Sequence, residues 1–219
     1  LKLKISPKNS LICLIIIVIA EIFITINISQ NWKNNNTLWR AALKAYEKSF
    51  RGMIFLANEA SNKNDIETAL NYYQKALSLN PNRDNKLLIY RNKSLLLLKI
   101  GKKKEALNLI EQILKIKPDY RQAWIILGDV YFQNRDWLGA LKYYNKADTR
   151  KTFWDYEYID ILNKKALCWL ELAQWTKAAR IYEELLSYNS KNKFYYLKLW
   201  EIYLKLNDEN KAKFYLEKV

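Results

Sequence analysis

The chain has no histidine, and that absence removes more chemistry than any other feature of its composition. Without imidazole there is no Ser-His or Cys-His nucleophile pair and no histidine metal ligand. Two cysteines cannot build a four-cysteine zinc site or a disulfide framework. Four glycines argue against phosphate-binding loops, dinucleotide-binding turns and a turn-dense all-β protein. Only three prolines interrupt the chain. Disorder is excluded by what is abundant, since half the residues are hydrophobic and 14% are aromatic. Carboxylates occur at Asp155, Glu157 and Asp160 and at Glu183 and Glu184, with the spacing of solvated helix faces and loops rather than of a glycosidase pair. The composition therefore predicts an all-α protein that is not an enzyme, with no catalytic residue, no metal site and no cofactor.

Residues 11–28 form the longest apolar run, broken by one charge, Glu21. As a helix this run would reach about 27 Å, close to a hydrocarbon core of roughly 30 Å. Lys2, Lys4 and Lys8 precede it, and Trp32 and Lys33 follow. The expectation is a transmembrane helix over 11–28 behind a basic cytoplasmic flank, 1–10. Trp32 would lie at the interface and the rest of the chain outside the cytoplasm, periplasmic or at the cell surface. Glu21 near mid-span would be a tolerated acid or a polar contact to another membrane helix. Val18 and Ala20 fit a signal-peptidase site, but the apolar run continues past them to Ile28. Residues 10–13 make a poor lipoprotein box, because Ile12 precedes Cys13. Leu1 in place of Met is what a fragment or an alternative start codon would leave.

The remainder repeats. Small residues at Ala69, Ala106, Ala140, Ala178 and Ala212 are 37, 34, 38 and 34 positions apart. A bulky residue stands four positions after each: Tyr73, Ile110, Tyr144, Tyr182 and Leu216. Ala76, Ile113, Ala147, Leu185 and Val219 stand seven after, so one helix face recurs five times. A second amphipathic stretch lies upstream of each, most clearly Trp124, Leu127, Gly128 and Tyr131. Pro81 and Pro118 each fall twelve residues after an aligned alanine and stop the second helix. Cys168, beside Trp169, is expected to be an inert packed thiol.

These units resemble tetratricopeptide repeats (TPR). The third matches almost in full, through Trp124, Leu127, Gly128, Tyr131, Ala140, Tyr144 and Ala147. The second departs at Lys93 and Ser94, the fourth has Ser190 in place of Pro, and the fifth has Trp200 where a small residue is usual. The units are placed at 50–83, 87–120, 121–154, 159–192 and 193–219, with insertions at 84–86 and 155–158. An interfacial segment and half repeat, 29–49, precedes them, with Trp39 and Ala42 at second-helix positions. The resemblance implies helix pairs stacked into a right-handed superhelix whose first helices line a concave groove. Groove positions would be Arg51, Ile54, Asn58, Ser61 and Asn62 in the first unit. The second would supply Leu88, Arg91, Leu95, Leu98 and Lys99, with Asn92 beside them. The third would supply Gln122, Ile125, Asp129, Phe132 and Gln133, and the fourth Asp160, Asn163, Leu167, Leu170 and Glu171. Such a mixture suits an extended peptide or a helix. Asn58, Arg91 and Asn92 could hold a backbone or a carboxylate. The carboxylate clamp of chaperone-binding relatives is incomplete: Ile54 stands where the first Lys belongs, and Gln122 and Ile126 where the next Lys and Arg belong.

The net charge is +15. Lys102, Lys103 and Lys104 sit in the turn of the second unit as a basic patch. That patch is either a solvated face or an attraction to anionic lipid, acidic glycan or an acidic partner; no nucleic-acid motif is visible. Two readings of the whole follow. One is a non-catalytic membrane-anchored scaffold that binds protein partners of an envelope complex for motility, secretion or wall assembly. The other rests on the junction 31–43, which resembles the join between the last membrane helix and the TPR tail of multi-span O-mannosyltransferase-type glycosyltransferases. On that reading the catalytic loops lie in another part of a longer enzyme.

Overall fold

The computed structural model describes residues 33–46, 49–148 and 156–219, together with 16, 18–22, 24–26 and 29. Eleven helices are delineated among the described residues: α1 Asn35–Ala45, α2 Phe50–Asn62, α3 Ile66–Ser78, α4 Arg83–Lys99, α5 Lys103–Ile116, α6 Arg121–Gln133, α7 Trp137–Ala147, α8 Tyr156–Glu171, α9 Trp175–Tyr188, α10 Lys193–Lys205 and α11 Glu209–Leu216. No strand occurs among them. The chain divides into two compact units, Leu1–Leu96 and Leu97–Val219, with the boundary inside α4.

In the first unit α1 packs on α2, and α2 on α3. Asn34 and Thr37 form a capping box: the Thr37 amide donates to Asn34 Oδ1 at 2.9 Å, and the Asn34 amide to Thr37 Oγ1 at 3.2 Å. That reciprocal pair starts α1. The core joins Met53, Ile54 and Ala57 to Ala69, Tyr73 and Ala76, with Ile89 and Leu96 from α4. In the second unit each first helix packs on its second helix, α6 on α7, α8 on α9 and α10 on α11, and α9 packs on α10. Ala166, Ala178, Tyr182, Leu185 and Leu199 sit in one core cluster, and Ala140, Tyr144, Ala147, Ile161 and Cys168 in another.

The small residues explain how close the helices come. Ala57, Ser94, Gly128 and Ala166 occupy the same place in the first helices of four repeats, and all are buried. Ser94, a departure from the family pattern, is small enough, and its hydroxyl donates to the Arg91 carbonyl at 2.7 Å. A Cβ on Gly128 would fall inside the contact distance of the Tyr144 ring. Cys168 is buried and unpaired by any disulfide, and burial pushes its thiol up to about 12.

Two details differ from the sequence reading. Of the insertions placed at 84–86 and 155–158, residues 84–86 and 156–158 are helical and lengthen α4 and α8 at their starts, and 155 lies outside the described residues. The turn inside each repeat places one residue in the left-handed region: Asn64, Gly101, Arg135, Ala173 and Asn207, with φ of 58°, 77°, 60°, 52° and 56°. Asn and Gly suit that region; Arg135 and Ala173 occupy it at a cost of the order of 1 kcal/mol.

The transmembrane helix over 11–28, and the single-span membrane placement with its extracytoplasmic domain, are corrected. No helix among the described residues is long and apolar enough to cross a membrane. The longest, α4, has 17 residues and carries Arg83, Asp84, Lys86, Arg91, Lys93 and Lys99, whereas a span needs about 20 mostly apolar ones. Glu21 is described and exposed. Trp32, and 11–15, 17, 23, 27 and 28 of the expected span, lie outside the described residues.

The packing at Gly128 yields a sign. Replacing a helical glycine by alanine ordinarily gains up to ~1 kcal/mol. Here Gly128→Ala is expected to lower stability instead, by about 1 kcal/mol or more, because the buried Tyr144 ring has to move. A rise in the urea midpoint would contradict the packing.

Candidate partner-binding site

The first helix of each repeat exposes a row of side chains whose other edge rests on the core. In the first unit Arg51 and Asn62 are exposed, Asn58, Ser61, Arg91 and Asn92 are half-buried, and Ile54 belongs to the core. The polar members are linked. Asn58 Oδ1 accepts from the Tyr73 hydroxyl at 2.6 Å and from Asn92 Nδ2 at 3.0 Å. Asn92 Oδ1 accepts from Arg91 Nε at 3.2 Å. Asn58 Oδ1 thus ties α2 to α3 and α4, while Asn92 Oδ1 is held by Arg91 within α4. Tyr73 is held at about 12 by burial, which the nearby Arg91 charge only partly offsets.

In the second unit the same bond recurs between Asp129 and Tyr144, whose hydroxyl donates to Oδ1 at 2.7 Å. Lys164 reaches the same oxygen at 2.8 Å and Asp160 at 2.9 Å. Burial works against the Lys164 charge, but hydrogen bonds to the two carboxylates outweigh it and raise its pKa. Gln122 donates to Glu157 at 3.4 Å. Asn163 donates to the Tyr195 hydroxyl at 3.2 Å, and Lys198 pairs with Glu201 at 2.8 Å. These ion pairs are lopsided. The side chains of Asp160, Glu157 and Glu201 are 56%, 48% and 53% exposed, whereas Lys164 and Lys198 are each 26% exposed. Carboxylates thus face solvent, and cations lie beneath them.

The position held by Asn58 and Asp129 is Leu95 in the second repeat and Leu167 in the fourth. Both leucines are exposed, at 47% and 37%. The fourth repeat keeps the tyrosine but loses its acceptor, so the buried Tyr182 hydroxyl has no hydrogen-bond partner among the described residues. Burial holds it at about 12. Sequence periodicity could not show this pairing, because it joins residues fifteen apart on two different helices.

Lys102, Lys103 and Lys104 are exposed. Lys102 is the N-cap of α5 with no side-chain capping bond, and the other two open its first turn. Cations there oppose the helix macrodipole, and the Lys102–Glu105 pair at 3.3 Å offsets this only at the surface. Stability therefore does not account for the patch. No group of three or more potential metal ligands occurs among the described residues.

Models of the tetratricopeptide repeat match residues 91–153 with one form and 50–83 and 193–219 with another, more than half of the chain together. Solved structures share the arrangement. YrrB, described as a TPR protein with an unusual peptide-binding site, is 19% identical with a TM-score of 0.58 over 82% of this chain and 89% of its own. MamA is 20% identical with a TM-score of 0.60 over 77% of this chain and 88% of its own. Yeast Tom70 is 17% identical with a TM-score of 0.64 over 84% of this chain, which spans 38% of Tom70. At these identities the likeness is one of fold.

The missing acceptor beneath Leu167 can be restored. Leu167→Asn is expected to raise stability by ~1 kcal/mol through a bond from the Tyr182 hydroxyl. Urea unfolding checks this, and a lower midpoint would contradict it.

Proposed function

The chain belongs to the tetratricopeptide-repeat family, and from that premise we propose that it is a non-catalytic scaffold whose first-helix faces bind segments of other proteins. One observation carries the reading. Leu95, Leu167, Phe194 and Leu204 are exposed by 37–49%, and all four lie on the first-helix rows. The second helices bury Tyr73, Tyr144 and Tyr182 almost completely, and expose Leu138, Phe214 and Leu216 away from those rows. Large apolar side chains left in water along a row of polar ones are what a bound segment covers.

The two units offer different chemistry. In the first, Arg51 and Arg91 stand beside Leu88 and Leu95, with no carboxylate at the expected groove positions. That row suits a segment with apolar and acidic side chains. In the second, the carboxylates Asp160, Glu157, Glu171 and Glu201 are exposed on the first helices that also expose Leu167 and Phe194, with Lys205 as an exposed cation. That row suits apolar and basic side chains. Charge of this kind sets partner choice and encounter rate more than affinity, and the apolar contacts supply most of the latter. YrrB supports the reading by analogy, as a similar fold described with a peptide-binding site.

The test is capture of partner proteins by the immobilised chain and by Arg91→Glu. Arg91 is half-buried and its guanidinium donates to the adjacent Asn92 on the same helix, so helix content should persist in far-ultraviolet circular dichroism. Partners of the first unit should be lost, at least tenfold. Unchanged capture by the folded variant would refute the assignment of that row.

A further inference from the structure

Repeats three and four differ at one corner, and the difference opens a cavity. In repeat three Gly139 lets the Tyr131 ring lie against the start of α7. Tyr143 packs on Tyr131 with ring centroids 4.9 Å apart, and Trp124 stacks on Tyr143 at 6.0 Å. The corner is full. In repeat four the corresponding residues are Trp169, Lys177 and Ile181. Lys177 has a side chain where Gly139 has none, and its ammonium sits over the Trp169 ring, 4.3 Å from the centroid. The tyrosine that would fill the space is now Ile181. A cavity of about 680 Å³ results, walled by α7, α8 and α9.

Its walls have a definite chemistry. The indoles of Trp169 and Trp175 and the side chain of Ile181 supply apolar surface. Lys165, Lys177 and Arg180 supply positive charge, and no carboxylate lines it. Lys165 is answered by Asp148 at 2.6 Å, outside the lining. Lys177 and Arg180 are exposed. The volume matches a small ligand or a few side chains, not a whole helix. An occupant must carry negative charge for the two cations and a flat apolar face for the indoles. Both an aromatic side chain and a sugar ring can stack on an indole; the Ile181 side chain beside the indoles favours the wholly apolar ring.

We propose that this cavity is a second binding site, separate from the first-helix rows, for an acidic peptide segment that bears an aromatic side chain. The ring packs against the indoles, and the flanking carboxylates pair with Lys177 and Arg180. The site does not depend on the groove reading, since it uses none of the row residues.

The test uses the whole chain and an acetylated Glu-Asp-Phe-Glu-Asp amide. Among the eight tryptophans, the indole N–H resonances of Trp169 and Trp175 should shift saturably. Affinity should fall at least tenfold in the double variant Lys177→Glu, Arg180→Glu. A second variant separates binding from folding. Gln174 opens α9 with no side-chain capping bond, unlike Asp136 at the same place in repeat three. Gln174→Asp should therefore raise the melting temperature while its carboxylate at the rim weakens the peptide at least threefold. Three results would overturn the proposal: no saturable shift at millimolar peptide, shifts unaffected by both variants, or a hyaluronate tetrasaccharide moving the same indoles when the peptide does not.

Discussion

The distance of approach between the two helices of a repeat is the constraint on which the rest of the structure depends. Ala57, Ala69 and Ala76 are fully buried in one repeat, and Ala166 and Ala178 in another. They contribute little volume, and that is their use. Small side chains let the backbones come close, and the tyrosine four positions on fills the space that remains. Gly128 under the Tyr144 ring is the extreme case. Once the pair is set, the outer row of the first helix is set with it, because side chains three and four apart share a face.

On the proposed function, the three repeats that carry a tyrosine at this position differ in what they do with it. Asn58 and Asp129 accept its hydroxyl and become part of the framework while still lining the row. Leu167 does not, so the row gains an exposed apolar group and the core keeps an unsatisfied hydroxyl. On the proposed function, a fraction of repeat stability is exchanged there for a surface suited to a partner. The same contrast between neighbouring repeats, Gly139 against Lys177, turns a filled corner into a lined cavity. Both proposed sites thus lie at departures from the repeat, where local rule-breaking is expected to mark functional positions.

Much of the framework was legible in the sequence. The recurrence of Ala69, Ala106, Ala140, Ala178 and Ala212 located the second helices, and Pro81 and Pro118 fall just after α3 and α5 end. Less visible were features that depend on three dimensions. The left-handed turn residue could be guessed at Gly101, Asn64 and Asn207 but not at Arg135 or Ala173, whose residue types give no signal. Residues 84–86, an insertion relative to the 34-residue unit, extend the start of a helix, which repeat length alone does not show. Ile54 was placed on the row by position and is core by packing. Lys102, Lys103 and Lys104 all read as turn residues in the sequence; Lys102 is the N-cap of α5, and Lys103 and Lys104 lie in its first turn. The apolar run at 11–28 predicted a membrane span from its length and flanking residues, and no helix among the described residues is long and apolar enough to cross a membrane.

The claim that helix approach governs the structure has a direct test in the paired variants Ala178→Leu and Ser187→Leu. Both sit on α9; Ala178 is fully buried and Ser187 is exposed. The account predicts that Ala178→Leu lowers the free energy of unfolding in urea by about 1–3 kcal/mol, while Ser187→Leu changes it by no more than ~0.5 kcal/mol. Equal midpoints for the two variants would contradict it.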